Sequence, residues 1–250
     1  MSDMALAETL KLLFNITHFK PSLANDFTEC VPSLFTVLQY TPLPRPPLQP
    51  SISTVINALM NLEIPQSATS KTHTERLIEI LSQSINAYPE DTLDTNAMPL
   101  VTLLRRYYAA GPPEIKASLK LQLLPSEEAR EQPLGKDETQ PSRLLRISVS
   151  SGLLHLGKNI SALLFELSDS DAAKFIHNIG YGYAAGFLAT NQIAVPQEAM
   201  ADAASSTEGA ADINPITGQW RDREEVDNLP EMTEEEKERE AERLFVLFER

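Results

Sequence analysis

The spacing of apolar residues is the feature that most limits the folds open to this chain. Between proline-rich or polar breaks, apolar side chains recur every three or four residues, and they nowhere alternate with polar residues over the length of a strand. Glycine is scarce, at 9 of 250 residues, and the sequence contains no paired Gly/Asn hairpin turn. The pattern predicts an all-α fold.

The first predicted helix carries two apolar stripes rather than one. The first stripe consists of Leu6, Leu10, Leu13 and Thr17, and the second of Leu12, Ile16 and Phe19. A helix that is apolar on two faces is expected to lie between neighbouring helices rather than on a surface.

Helix starts recur at a nearly constant interval. They fall near Asp3, Ser51, Asn96 and Ser142. The interval of about 45 to 48 residues is close to the period of armadillo and HEAT repeats. We therefore predict an armadillo/HEAT-like helical-repeat superhelix.

The chain is acidic, with a formal net charge of −14 from 21 Lys+Arg and 35 Asp+Glu. The segment from Gln197 to Arg250 holds 16 acidic and 6 basic residues, so most of the excess lies in the last quarter. Nucleic acid and anionic membranes both select positive surfaces. The acidity therefore predicts no nucleic-acid partner. The N-terminus has no signal-peptide pattern, and no apolar run approaches the roughly 18 residues needed to cross a bilayer, so we expect a cytoplasmic location without direct membrane insertion. We also expect a monomer.

Composition divides the chain into three parts. Residues 1–193 are predicted to form the helical repeats, interrupted by a Pro-rich loop at 41–50 and a polar loop at 127–141. Residues 194–212 are predicted to be a flexible linker, because this part of the chain is poor in the apolar residues that bury surface. Residues 213–250 remain as an acidic tail. The Pro-rich loop fits a stiff connection between helices, or a polyproline ligand for a partner domain.

The tail ends in a predicted amphipathic helix over residues 233–248. Thr233 and Glu236 have the spacing of a capping box, which satisfies exposed amides at a helix start. The apolar stripe of this helix comprises Ala241, Leu244, Phe245 and Phe248. Such a stripe must be buried, either on the body of this chain or on a partner.

Residue patterns typical of covalent catalysis are missing. The four histidines are scattered without metal-ligand spacing, and the lone Cys30 has no histidine near it in sequence. The glycines of Gly180-Tyr181-Gly182 and Gly186 do not match the dinucleotide-binding spacing. We therefore expect no catalytic residue, no cofactor and no metal.

Four stretches together resemble the synembryn family, the cytosolic chaperones and guanine nucleotide exchange factors of heterotrimeric G-protein α subunits (Gα). Leu10–Thr17 is similar to the family's LFNIT helix, and Ile179–Ala189 to its TGYGNAAGLLA element, with Tyr183 in place of the usual Asn. Ile213–Gly218 matches INPVTG, and Met232–Leu244 is similar to MTEEQKE…EAMKLV. The four stretches occur in the family's order.

The resemblance implies an armadillo/HEAT superhelix that binds nucleotide-free Gα and promotes GDP release. The partner would be the GTPase domain of Gα and its C-terminal helix, held in a concave groove, and Gα would recruit the chain to the plasma membrane. Family members carry further repeats before the LFNIT helix, so the chain is expected to be truncated at its N-terminal side. A helical-repeat adaptor that binds Gα or another helical peptide without exchange activity is therefore the alternative.

The resemblance also implies partner-binding residues. Asn15 is expected to bond the backbone of a docked peptide, with Phe14 or Phe19 in apolar contact, unless Phe14 belongs to the core. Arg143 and Arg146, three residues apart on one helix, correspond to basic positions that meet a phosphorylated acidic segment, unless they lie on a solvated face. Ser205, followed by Glu208, is the expected phosphorylation site.

Overall fold

The computed structural model describes residues 3–196, 213–224 and Arg239. The predicted tail helix at 233–248 and most of the predicted linker lie outside the described residues, apart from Arg239, which is helical. The α-helices in the described part are α1 (Asp3–Phe19), α2 (Val31–Tyr40), α3 (Pro50–Asn61), α4 (Lys71–Ala87), α5 (Glu90–Ala110), α6 (Pro113–Leu123), α7 (Gln140–Ser148), α8 (Leu154–Leu167), α9 (Ala172–Ile179) and α10 (Tyr181–Thr190).

Short 3-10 helices complete the described secondary structure. They cover Pro21–Cys30, Gln66–Ala68, Glu128–Glu131 and Arg221–Arg223. The β pairing within the described residues is limited to one isolated bridge between Ile213 and Trp220. The all-α prediction is therefore confirmed for this part of the chain.

The helices pack as two layers. Helices α1, α3, α5 and α8 contact one another in succession, and α2, α4, α6 and α7 form a second succession beside them. Contacts between the layers, such as those of α2 with α3 and α4 with α5, enclose the core. Helix α9 packs on α8, and α10 packs on both. Contacts between successive helices of this kind are typical of a helical-repeat superhelix.

Apolar residues at helical spacing make this core. On α5 the buried side chains recur every three or four residues, and they are Leu93, Ala97, Leu100, Val101, Leu103, Leu104, Tyr107 and Tyr108. The buried Tyr107 hydroxyl donates to the Ser70 carbonyl at 2.8 Å and accepts from the Ser70 amide at 2.8 Å. Because the Ser70 side chain caps α4, this hydroxyl ties α5 to the start of α4.

The predicted helix start at Asn96 is wrong, because α5 begins at Glu90 and Asn96 lies inside it. A proline within a helix removes one hydrogen bond and disfavours the preceding turn, so Pro99 argues for a boundary near that position. The helix continues through Pro99 because Ala97 and Leu100 on either side of it are fully buried in the core. Tertiary packing thus overrides the local signal.

Only one of the two apolar stripes of α1 is covered. Leu10 and Leu13 are buried against the stack, whereas Leu12 is 59% exposed and Phe19 is 79% exposed. The prediction that this helix lies between neighbours on both faces is wrong for the chain described here. Its second face is open to solvent.

The Pro-rich segment between α2 and α3 folds onto the body. Pro47 and Leu48 are buried, and the Leu48 amide donates to the Tyr88 hydroxyl at 3.1 Å. The Arg45–Pro46 peptide bond is cis. The segment is an irregular connection packed on the body in this structure, and its role as a polyproline ligand stays a prediction.

None of the described helices has both the length and the apolar character that a membrane span requires.

Candidate functional site

One face of the stack carries a row of polar side chains that joins the four helices of the first layer. Its members, here called the polar row, are Thr17, Asn61, Thr102, Arg105, Arg106, Asn159 and Glu166. Each of these residues makes a hydrogen bond to a residue that lies on a neighbouring helix of the layer or directly after its end. The polar row therefore links the four helices in succession, from the buried Thr17 on α1 through the exposed Arg106 on α5 to Glu166 on α8.

At the α1 end of the polar row, Asn61 links α3 to α1. Its Nδ2 donates to the Phe14 carbonyl and to the Thr17 hydroxyl, each at 3.3 Å. The Thr17 hydroxyl in turn donates to the Leu13 carbonyl at 2.8 Å. The amide of Asn61 thus fixes the part of α1 from which the predicted partner-binding residues project.

In the middle of the polar row, arginines of α5 reach both neighbouring helices. Arg106 donates from Nη2 to the Leu62 carbonyl just beyond α3 at 2.8 Å, and its side chain is exposed. Arg105 donates from Nη1 to Asn159 at 2.9 Å and from Nε to Glu166 at 3.0 Å, both on α8. A guanidinium with donors left over at an exposed surface is suited to carbonyl or carboxylate groups of a ligand.

The residues predicted to meet a docked peptide lie at the α1 end of the same layer. Phe14 is half-buried and stacks on His18, with 5.5 Å between the ring centroids. Asn15 is exposed. Phe14 thus shares its ring between the packed and the open face of α1, and Asn15 is accessible to a ligand.

Arg143 and Arg146 are brought together on α7. Arg143 bonds Asn86 and contacts the Glu138 carboxylate at 3.2 Å. Arg146 donates from Nη1 to the Gly135 and Asp137 carbonyls at 2.6 and 2.7 Å and from Nη2 to Glu138 at 3.4 Å. Both arginines line a cleft of about 480 Å³ between α4 and α7. The exposed Glu138 carboxylate therefore already occupies part of this basic pair.

A second cluster of contacts joins two of the stretches that resemble the family. Residues 213–220, here called the anchor segment, cover the start of α10. The Pro215 and Ile216 carbonyls accept from the Tyr181 and Gly182 amides at 2.7 and 3.1 Å. Amides in the first turn of a helix have no partner within the helix, so the anchor segment satisfies two that would otherwise be unpaired.

The anchor segment is also bonded to the connection between α6 and α7. The Thr217 carbonyl accepts from the Leu134 amide at 3.1 Å, and the Trp220 amide donates to the Arg130 carbonyl at 2.9 Å. Trp220 also donates from its indole to the Glu127 carbonyl at 3.2 Å. This segment therefore bridges two parts of the body that are far apart in sequence.

Arg130 lies at the centre of the cluster and is 1% exposed. It donates from Nη1 to the Gly218 carbonyl at 2.9 Å and from Nη2 to the His177 carbonyl at 3.0 Å. Its Nε lies 3.5 Å from the exposed Glu127 carboxylate. Burial lowers the pKa of Arg130, and burial together with the Arg130 charge lowers the pKa of His177.

Two glycines make this close approach possible. Gly180 has φ +78° and Gly218 has φ +70°, a region that side chains disfavour. A Cβ on Gly180 would lie 2.9 Å from the Ile216 carbonyl oxygen, and one on Gly218 would overlap the Leu134 side chain. The glycines of the two stretches are therefore required for their mutual packing.

Sequence reasoning missed Asn61, Arg106 and Arg130. Their contacts go to backbone carbonyls on other elements, and no spacing along the chain marks them. Gly218 is marked in the sequence only by the resemblance of Ile213–Gly218 to INPVTG. Four of the predicted site residues, Ser205, Leu244, Phe245 and Phe248, lie outside the described residues.

Comparisons with known proteins place the chain in a family. The family model described as "guanine nucleotide exchange factor synembryn" (Ric8) matches residues 1–250. A synembryn-like chaperone of Schizosaccharomyces pombe is 27% identical over 281 residues, which cover 100% of this chain and 52% of that protein. The chaperone Ric-8A of Macaca fascicularis is 33% identical over 147 residues, covering 53% of this chain and 26% of that protein.

The chaperone Ric-8A of Bos taurus gives the same identity and coverage. The chain thus spans about half the length of the fission-yeast relative, although the family model matches it from end to end. The resemblance carried by the four stretches is confirmed: the chain belongs to the synembryn (Ric8) family.

Proposed function

We propose that this chain is a folding chaperone and guanine nucleotide exchange factor for heterotrimeric G-protein α subunits. It would act in the cytoplasm, in signalling from G-protein-coupled receptors, and reach the plasma membrane through Gα. The observation that carries the proposal is the polar row along the first helical layer of a chain in this family. We assign the layered helices to an armadillo/HEAT-type superhelix, whose stacked units offer a long surface to an extended or helical ligand.

Exchange requires only differential binding. If the chain binds nucleotide-free Gα more tightly than GDP-bound Gα, then by linkage its binding lowers the affinity of Gα for GDP by the same factor. GTP binding would then favour release of the chain from Gα. Stabilising a nucleotide-free, incompletely folded Gα by the same contacts is chaperone activity.

The hydrogen-bond donors of the polar row are suited to the carboxyl end of a docked helix. The last turn of a helix presents unpaired carbonyl groups and carries partial negative charge. Arg106 offers donors at the exposed surface in the middle of the row, and Asn15 offers a donor and an acceptor on α1. The C-terminal helix of Gα would therefore dock with its carboxyl end toward Arg106. The tail at 213–250 would supply a second contact through Leu244, Phe245 and Phe248.

The test is the rate of GDP release from purified Gα with and without the chain. We expect acceleration by the intact chain. We expect the Arg106→Ala variant to reduce it about tenfold, which is the worth of one charge-assisted hydrogen bond. Arg45→Ala is the matched control, because Arg45 is an exposed arginine on the Pro-rich connection. Equal losses in the two variants would contradict a role for the polar row.

The second candidate is an adaptor that binds Gα without exchange. It is favoured by the open second face of α1, where the stack presents apolar side chains to solvent. Binding of Gα by the intact chain with an unchanged rate of GDP release would establish the adaptor and reject the exchange factor.

A further inference from the structure

The outer face of α1, opposite its buried stripe, is open to solvent in the described part of the chain. Three large apolar side chains lie on this face: Met4 is 77% exposed, Leu12 is 59% exposed and Phe19 is 79% exposed. They are spaced eight and seven residues apart, so they fall within about 80° of arc on a helix of 3.6 residues per turn. An exposed apolar stripe on a folded body is typical of an interaction surface.

Polar side chains lie between the apolar ones on the same face. Glu8 and Lys11 form an ion pair at 2.8 Å, with more than half of each side chain exposed. Asn15 is exposed as well. Apolar and polar positions thus follow one another along the outer face, from Met4 at one end to Phe19 at the other.

The outer face is nearly symmetric along its length. From the midpoint between positions 11 and 12, Met4 and Phe19 are equally distant, and so are Glu8 and Asn15. A contact between two identical patches related by a twofold axis requires such self-complementarity. When a second α1 is turned end for end, its Phe19 meets Met4 and its Asn15 amide lies beside the Glu8 carboxylate, to which it can donate. The two Leu12 side chains then meet at the centre.

We propose that the outer face of α1 is a self-association surface, on which a second copy of this chain binds with its own α1 antiparallel. Charge selects this direction. A parallel pair would set Glu8 directly against Glu8, whereas the antiparallel pair holds them about 10 Å apart along the contact and opposes the two helix dipoles. The two Lys11 side chains lie at the solvent edge of the contact, each paired with the Glu8 of its own copy.

The size of the outer face sets the expected strength. A helix of 17 residues is about 25 Å long and about 10 Å wide, so the contact covers a few hundred Å² on each copy. That is less than the roughly 1,000 Å² of total area that a lasting complex buries, so we expect a reversible pair with a Kd on the order of 100 µM. Asn15, which the proposed function assigns to a docked peptide, lies within the contact. A second copy and such a peptide would therefore exclude each other.

Sedimentation velocity tests the association directly. From about 5 to about 500 µM, which brackets that constant, we expect the average mass of the full chain to rise from 27.7 kDa toward the dimer value. Leu12→Glu places like charges at the centre of the contact and should weaken association about tenfold or more. Leu121→Glu on α6 is the matched control, because Leu121 is 81% exposed and lies outside the outer face. It should leave the rise in mass unchanged.

Two outcomes of this measurement would overturn the proposal. A chain that stays monomeric over the whole range does not use the outer face for self-association, and the occupant would then be another part of the chain or a partner of another kind. Equal weakening by Leu12→Glu and Leu121→Glu would mean that unspecific apolar contact causes the rise in mass.

Cysteine cross-linking in a Cys30→Ser background tests the direction of the pair. Under mild oxidation, Met4→Cys mixed with Phe19→Cys should form disulfide-linked dimers, because antiparallel pairing brings these positions together. Neither variant should cross-link to itself, since the two equivalent positions lie about 22 Å apart along the contact. Self-linkage of each variant without mixed linkage would show a parallel pair and overturn the antiparallel one. None of these measurements involves Gα, so their outcome is independent of the proposed function.

Discussion

The two ends of the helical stack differ in how their apolar side chains and backbone groups are covered. At the α1 end, Leu12 and Phe19 face solvent, and a groove of about 730 Å³ opens between α1, α2 and the start of α3. At the α9–α10 end, a segment from later in the chain returns to pair the first amides of α10. The first end is apolar and open, whereas the second is closed by hydrogen bonds.

The difference shows that a stack of helices has two separate requirements at its ends. Apolar side chains on the last helix need cover, and terminal units of repeat proteins usually supply a polar outer face for this purpose. Backbone groups at helix starts need partners as well. At the α9–α10 end, the anchor segment supplies partners for the first amides of α10. At the α1 end, the second apolar stripe of α1 has no cover in the described residues.

The largest expected effect on stability comes from removing the buried guanidinium at the α9–α10 end of the stack. Arg130→Met should lower the free energy of unfolding by about 3 kcal/mol, because the Gly218 and His177 carbonyls lose their buried donor. Urea unfolding measures the change. Arg223→Met is the matched control, since Arg223 lies in the same region with about half its side chain exposed, and it should change the unfolding free energy by less than about 0.5 kcal/mol. Similar values for both variants would argue against the buried arrangement.

A smaller effect is expected where the two stretches touch. Gly180→Ala should destabilise the fold by about 2 kcal/mol, because φ is +78° and the new Cβ would lie 2.9 Å from the Ile216 carbonyl oxygen. Gly186→Ala should instead stabilise it by about 0.5 kcal/mol, because Gly186 lies within α10 with open space beside it. Thermal unfolding of the two variants should therefore shift in opposite directions, and a common sign would contradict the close packing of the anchor segment on Gly180.

The smallest effect on stability is expected at the open end. The double variant Leu12→Ser and Phe19→Ser removes exposed apolar area, so the free energy of unfolding should change by less than about 0.5 kcal/mol. Retention on a hydrophobic interaction column should fall, because the exposed apolar area is smaller. The buried Leu13→Ala variant should lose about 2 kcal/mol or more with little change in retention. A large loss of stability in the double variant would mean that the second face of α1 is covered.

The helical layers follow from the sequence because local spacing determines them. The stripes of α4 and α8, such as Leu77 with Leu81 and Ile160 with Leu164, are buried as their period predicts. The start of α5 is not given by local spacing in the same way: the helix begins at Glu90 rather than near Asn96, and burial of Ala97 and Leu100 carries it through Pro99. The period of a stripe predicts the helix but does not predict whether the stripe is covered. Cover depends on which neighbouring helices are present, as the two faces of α1 show.

The contacts of the anchor segment were outside the reach of sequence reasoning for a different reason. Arg130 and Gly218 are 88 residues apart, and the bond between them uses a backbone carbonyl that every residue possesses. From sequence alone, an isolated arginine in a polar connection is expected to be exposed to solvent, since buried arginines are rare. The resemblance marked the stretches around Gly180 and Gly218 but gave no indication that they touch.

One feature of the anchor segment also offers a direct optical signal. Trp220 is the single tryptophan among the 250 residues, and its indole is bonded to the Glu127 carbonyl. Intrinsic fluorescence excited selectively at the indole therefore comes from this one position in the fold. Its emission wavelength should shift to the red when the segment leaves the body, so the unmodified protein carries its own reporter of whether this end is closed.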